Sequence, residues 1–167
     1  PDVIFDLSSQ NGILATFLRD EGKPTEAGKL LETSITSLQS VITKDPENWD
    51  ARYLIASLKW QRAGILGQQG KKDDELMLGA AAHDELAALL NSGARRPNPG
   101  TVRRSLAYLC GDLGHSANLA GKKDLAIGYL REAQECWQLL KADEGDQLEF
   151  REGYQWTVDR LVEMGVR

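Results

Sequence analysis

The sequence predicts an all-α protein built as an array of helix hairpins. Four observations predict it. Gly70-Lys71-Lys72-Asp73 returns 51 positions later as Gly121-Lys122-Lys123-Asp124. The echo runs upstream in the same register, pairing Pro46 with Pro97, Arg52 with Arg103, Ile55 with Leu106, Ala56 with Ala107 and Leu58 with Leu109. A looser copy, Gly22-Lys23-Pro24, sits 48 positions before the first. Apolar residues also recur at three- and four-residue spacing almost throughout, without the alternation of a strand. Units repeated at this period bury against neighbours what none can bury alone.

The first helix is expected over about 3–19, with Ile4, Leu7, Leu14, Phe17 and Leu18 as apolar positions. Gly22 suits a left-handed helix end, and Pro24 suits the first turn of the next helix. Helix two, about 25–43, carries Ala27, Leu30, Leu31, Ile35, Leu38, Val41 and Ile42. Asp45-Pro46 reads as the start of helix three, with Asp45 as cap and Pro46 at the first position. That helix continues to about Gln69, and Gly70 closes it. Helix four covers about 72–90. Asn91 to Gly100, with two prolines and two glycines, is the longest loop. Thr101 is the expected cap of helix five, which runs to about Ala120. Helix six is expected over 123–141, a turn over 143–146, and a last helix over about 147–164.

The chain has 167 residues, 41 % of them hydrophobic, and a formal charge of −5. Such an acidic balance argues against nucleic-acid binding, which needs clustered cations. Only Arg95-Arg96 and Arg103-Arg104 form small clusters. No apolar run approaches the roughly 18–20 residues that span a bilayer. Pro1 in place of Met leads us to expect a segment of a longer protein, no signal-peptide pattern opens the chain, and two unscaffolded cysteines fit a reducing cytoplasm. Cys110 and Cys136 have neither metal nor disulfide-scaffold spacing, and are expected to be buried thiols.

Leu113-Gly114, Gly121, Ala126, Leu130 and Ala133 follow the tetratricopeptide (TPR) spacing, and Gly22, Ala27 and Leu31 repeat part of it. On these residues the chain resembles a TPR protein over nearly its whole length. The period is 48–51 and not 34, and the middle copy has Glu75 and Gly79 where Ala and a large apolar residue belong. Long repeats opened by Asp-Pro, with an Arg about seven residues from the Asp, are similar to arrays attached to bacterial serine/threonine protein kinases. No kinase signature is present in this sequence. The resemblance implies a right-handed α-α superhelix of about three TPR-like hairpins (3–43, 45–90 and 97–141) plus a C-terminal capping helix over 147–164, in one domain. Arg151 lies 48 positions after Arg103, which maps Tyr154 and Trp156 onto Leu106 and Tyr108.

The resemblance implies a non-catalytic scaffold that binds protein or peptide on its concave face, as part of a larger bacterial signalling protein. Family positions fall on Trp60, His115 and Asn118. Tyr53, Arg104 and Tyr108 share that face one turn earlier. Aromatic rings and a guanidinium fork would supply contact area and donors. Trp137, Trp156 and Phe150 are expected mainly in the core between helix six and the last helix. A structural spacer or self-associating domain is the alternative.

An enzyme is the least expected reading. Cys110 and His115 lie about 140° apart on one helix, too far round for a dyad. Gly64 to Lys72 only superficially resembles a phosphate loop. The acid pairs Asp73-Asp74 and Glu144-Asp146 suit helix starts or turns. No metal, cofactor or nucleic acid is expected.

Overall fold

The computed structural model describes residues 2–93 and 97–166. Arg95 and Arg96, one of the two basic clusters of the sequence, lie outside these. The described residues form seven α-helices and no strand: α1 (Asp2–Asp20), α2 (Pro24–Lys44), α3 (Trp49–Gln68), α4 (Lys72–Asn91), α5 (Pro99–Leu119), α6 (Lys123–Glu144) and α7 (Leu148–Glu163). The all-α class read from the repeat is therefore observed.

The chain divides into two compact units, Pro1–Pro97 and Asn98–Arg167. In the first, α1 pairs with α2 and α3 with α4, α2 packs on α3, and α1 also touches α3. Its core joins Ala15, Ala27, Leu31, Leu38, Ile55 and Leu58. In the second, α5 pairs with α6, α7 packs on α6, and α7 also touches α5. Leu130, Trp137, Leu140 and Phe150 are buried there.

The repeat is visible as backbone geometry. Gly22, Gly70 and Gly121 take positive φ of 76°, 78° and 73°. After each, a lysine N–H donates to the carbonyl five residues back: Lys23 to Leu18, Lys71 to Leu66 and Lys122 to Ala117. This is a Schellman closure, and only glycine enters its left-handed position without strain. The same lysine is then the N-cap of α2, α4 or α6, with no side-chain cap bond. Acidic residues in each first turn, Glu26, Asp73–Glu75 and Asp124, oppose the helix dipole instead.

Seven residues before each turn glycine stands a small buried residue, Ala15, Ala63 or Gly114. In the third hairpin a Cβ on Gly114 would lie 2.7 Å from Leu130 Cγ, so glycine is what lets Leu130 fill the gap. The middle hairpin reverses the sizes. Ala63 replaces the glycine, and Gly79, also buried, replaces the leucine. Its Glu75 is accommodated by Gly67, where a Cβ would meet the carboxylate, and the carboxylate accepts from Lys72 Nζ at 3.0 Å. The departures of the middle copy are thus matched in pairs.

The repeated arginine has a role as well. Arg52 on α3 pairs with Glu85 on α4, and Arg103 on α5 with Asp143 on α6 at 2.6 Å. Each ties the open end of a hairpin, far from its glycine turn.

Three boundaries differ from expectation. Asp45 closes α2 through its N–H to the Val41 carbonyl, and Pro46 lies in the turn. Asn48 caps α3 in its place, accepting from Ala51 N–H at 3.1 Å. Asn98, not Thr101, caps α5, accepting from Gly100 N–H at 2.8 Å, with Pro99 in the first turn. Finally, α6 continues through the expected turn to Glu144 before Gly145 stops it at φ 90°.

Candidate functional site

The six residues expected on a binding face divide between the units. Tyr53 and Trp60 lie on α3, seven residues apart and both half-buried. Arg104, Tyr108, His115 and Asn118 lie on α5. There Tyr108, His115 and Asn118 are exposed and Arg104 is half-buried. Spacings of four, seven and three place these four along one stripe of α5.

Beside that stripe, α5 and α7 enclose a cleft of ≈ 300 Å³. Tyr108, Gly111 and Asp112 come from α5, Gly153 and Trp156 from α7, and Trp137 of α6 also lines it. Glycines allow the close packing. A Cβ on Gly111 would lie 3.3 Å from the Trp156 ring, and one on Gly153 only 2.5 Å from the Trp137 ring. The Tyr108 ring meets Trp137 edge-on, with centroids 4.9 Å apart. Trp137 in turn packs on Phe150 at 6.1 Å.

Of the three C-terminal aromatics, Trp137 and Phe150 are buried, as core residues are expected to be. Trp156 is 40 % exposed and Tyr108 44 %, so these two present rings to solvent. Trp156 is the residue that the 48-position offset maps onto Tyr108. Asp112 was not among the expected site residues. Its spacing from Tyr108 and His115, four and three, was the signal available for it.

Charged groups at one end of the cleft are interlocked. Arg104 Nη2 donates to Glu144 at 2.9 Å, and its Nε lies 3.2 Å from Glu149. Its guanidinium also stands over the Phe150 ring at 5.4 Å. Tyr108 donates its hydroxyl proton to Glu149 at 3.1 Å. Burial and this bond to a carboxylate hold the phenol above its ordinary pKa. Arg104 therefore fastens α5 to the α6–α7 corner.

A second cleft of this unit, ≈ 370 Å³, is lined by Lys141, Phe150, Arg151 and Tyr154. Its two cations both pair with Asp146, at 3.0 and 3.2 Å.

The cysteines are not placed for nucleophilic work. Cys110 is fully buried, whereas His115 faces outward. Burial pushes the Cys136 thiol up to about 12 and the Cys110 thiol higher still.

In comparisons with known proteins, no family model matches the chain, and no curated protein matches it. No described helix is long and apolar enough to cross a membrane.

Proposed function

We propose that the chain is a non-catalytic, TPR-like scaffold that holds a protein or peptide segment, within the second unit along the α5 face that carries Tyr108, His115 and Asn118. The observation that carries this reading is the α5–α7 cleft. The two helices that the repeat equates stand side by side there, and the equated aromatics Tyr108 and Trp156 line the gap. Packed helices fix these side chains beforehand, so a docking segment loses little entropy in ordering them. The resemblance to arrays on bacterial kinases supports a cytoplasmic signalling protein as the parent. The same resemblance implies the right-handed superhelix.

Site-directed photo-crosslinking tests the face. A crosslinker at His115 or Asn118 is expected to trap polypeptide adducts in cells of the source organism. One at Gln138, exposed elsewhere on the unit, is not. Equal trapping from both faces would reject the groove.

A second reading, self-association, is favoured by α1. Val3, Leu7, Leu14 and Phe17 are exposed by 78, 57, 48 and 65 % and, with Gln10 between them, recur every three to four residues. The 48-position register maps the stripe onto Ala51, Ile55, Leu58, Arg62 and Ile65, mostly buried positions of the helix on which α2 packs. The stripe is symmetric about Gln10 to within one residue, so two copies of α1 run antiparallel would set Val3 near Phe17, Leu7 near Leu14, and the two Gln10 amides together. Sedimentation over a concentration series tests it: a mass that rises for the native chain and stays monomeric for Leu14→Asp supports the seam.

A further inference from the structure

We infer that the α5–α7 cleft receives a cationic side chain, lysine or arginine, presented by a basic peptide. The inference rests on the scaffold reading above and adds to it the chemistry of the bound residue.

The walls supply the first argument. Tyr108 and Trp156 offer partly exposed rings on opposite helices, over a floor that includes the buried Trp137. Electron-rich ring faces attract a cation, tryptophan most strongly, and more so when water is excluded. The same unit already uses this contact internally. Arg160 lies over the Trp156 ring at 5.7 Å and Arg104 over Phe150 at 5.4 Å, and neither arginine lines the cleft.

The surrounding charge supplies the second. Asp112 lies on the wall itself. Glu149 and Glu152 both act on Tyr108 and raise its pKa, so their negative field reaches the cleft. Of the opposing cations, Arg104 is shared between Glu144 and Glu149, and Arg160, over the Trp156 ring, pairs with Glu163 at 2.7 Å. The balance around the Tyr108 ring is therefore negative, which complements a basic ligand and repels an acidic one.

Size supplies the third. At ≈ 300 Å³ the cleft stands at the small end of ligand pockets, suited to one long side chain and not to a whole helix. Lysine and arginine place an apolar stem along aromatic walls and carry the charge to the rim.

The experiment uses the whole chain with indole nitrogens labelled, and follows the Trp156 N–H signal by NMR. The probes are nine-residue alanine- and glutamine-based peptides differing at the central position: arginine, lysine, norleucine or glutamate. Arginine and lysine peptides are expected to shift the Trp156 signal, at least tenfold more tightly than norleucine, with no shift from glutamate. Asp112→Asn should weaken the arginine peptide several-fold, and Asp112→Glu should restore it. Both variants keep a side chain of similar shape at an exposed position, and unchanged helical circular dichroism will verify their folding. Norleucine binding as tightly as lysine would overturn the cationic assignment and leave the scaffold reading standing. So would adducts at His115 without any peptide shift at Trp156. Loss of both the shift and the adducts would remove both readings.

Discussion

Gly114 and Leu130 show how far one missing methyl group reaches. The leucine occupies the space that a side chain on α5 would need, and the Ala126 carbonyl is only 3.2 Å from the same point. Gly114→Ala is therefore expected to destabilise the fold by about 1–3 kcal/mol, the usual range for overpacking, despite the better helix propensity of alanine. Adding Leu130→Ala should cost less in that background than alone. Urea denaturation of the four proteins in a double-mutant cycle measures this coupling. The middle hairpin, with Ala63 and Gly79, is a natural counterpart of that double change. The TPR spacing made Gly114 and Leu130 legible in the sequence. The matching exchange in the middle copy looked like decay, because size compensation appears only when both helices are seen together.

The thiols give a second prediction at this scale. Cys136 keeps its proton in the fold to about pH 12, against a reference value of 9.0. The raised value means that its contribution is intact below pH 9.0 and lost as the pH rises from there through 12, because the unfolded chain ionises first. Between those limits the slope from this group is about 1.4 kcal/mol per pH unit. Stability of Cys136→Ala should thus fall more gently than that of the native protein between pH 9 and 11, as measured by denaturant midpoints.

Helix ends follow the backbone more closely than the sequence signals do. Asp45 and Asn48 are both good capping types three residues apart, and either could open α3. The chain uses Asp45 to finish α2, and the Asn48 N–H then donates to the Asp45 carbonyl at 3.1 Å, which turns the backbone into α3. Asn48→Ala should accordingly cost about 1 kcal/mol, whereas Asp45→Ala should cost a few tenths at most. Asn98→Ala should resemble the former and Thr101→Ala the latter. Thermal melts of the four variants test the assignment. Helix number, helix order and the three glycine bends were readable beforehand, since periodicity and positive-φ glycine are local properties. The caps were misplaced by three residues at each site because competing local signals are resolved by the turn that precedes them.

Across the molecule, the two proposed contacts differ in physical character, and salt separates them. The α1 seam is apolar and should hold or tighten as ionic strength rises. Binding at the α5–α7 cleft depends on carboxylates near the surface and should weaken several-fold between 50 and 500 mM salt, where screening lengths become a few ångströms. Sedimentation and peptide titration on the same samples compare them directly. The family resemblance pointed to one face of α5, including Tyr108, His115 and Asn118, and all three are exposed there. The cleft was not legible, because its opposite wall comes from α7, and Trp156 reaches Gly111 only through the packing of helices far apart in sequence.

The end of α7 has a practical consequence. Gly165 takes φ 76°, and the Val166 N–H donates to Leu161 five residues back, as happens after α1, α3 and α5. The C-caps of α3, α5 and α7 share their dihedrals, at −80° and 2°, −83° and 3°, and −83° and 0°. The polypeptide leaving α7 is steered like the polypeptide entering α2, α4 and α6. An engineer could splice a duplicate of residues 122–144 directly onto Gly165, with no designed linker, and lengthen the protein by one antiparallel partner for α7.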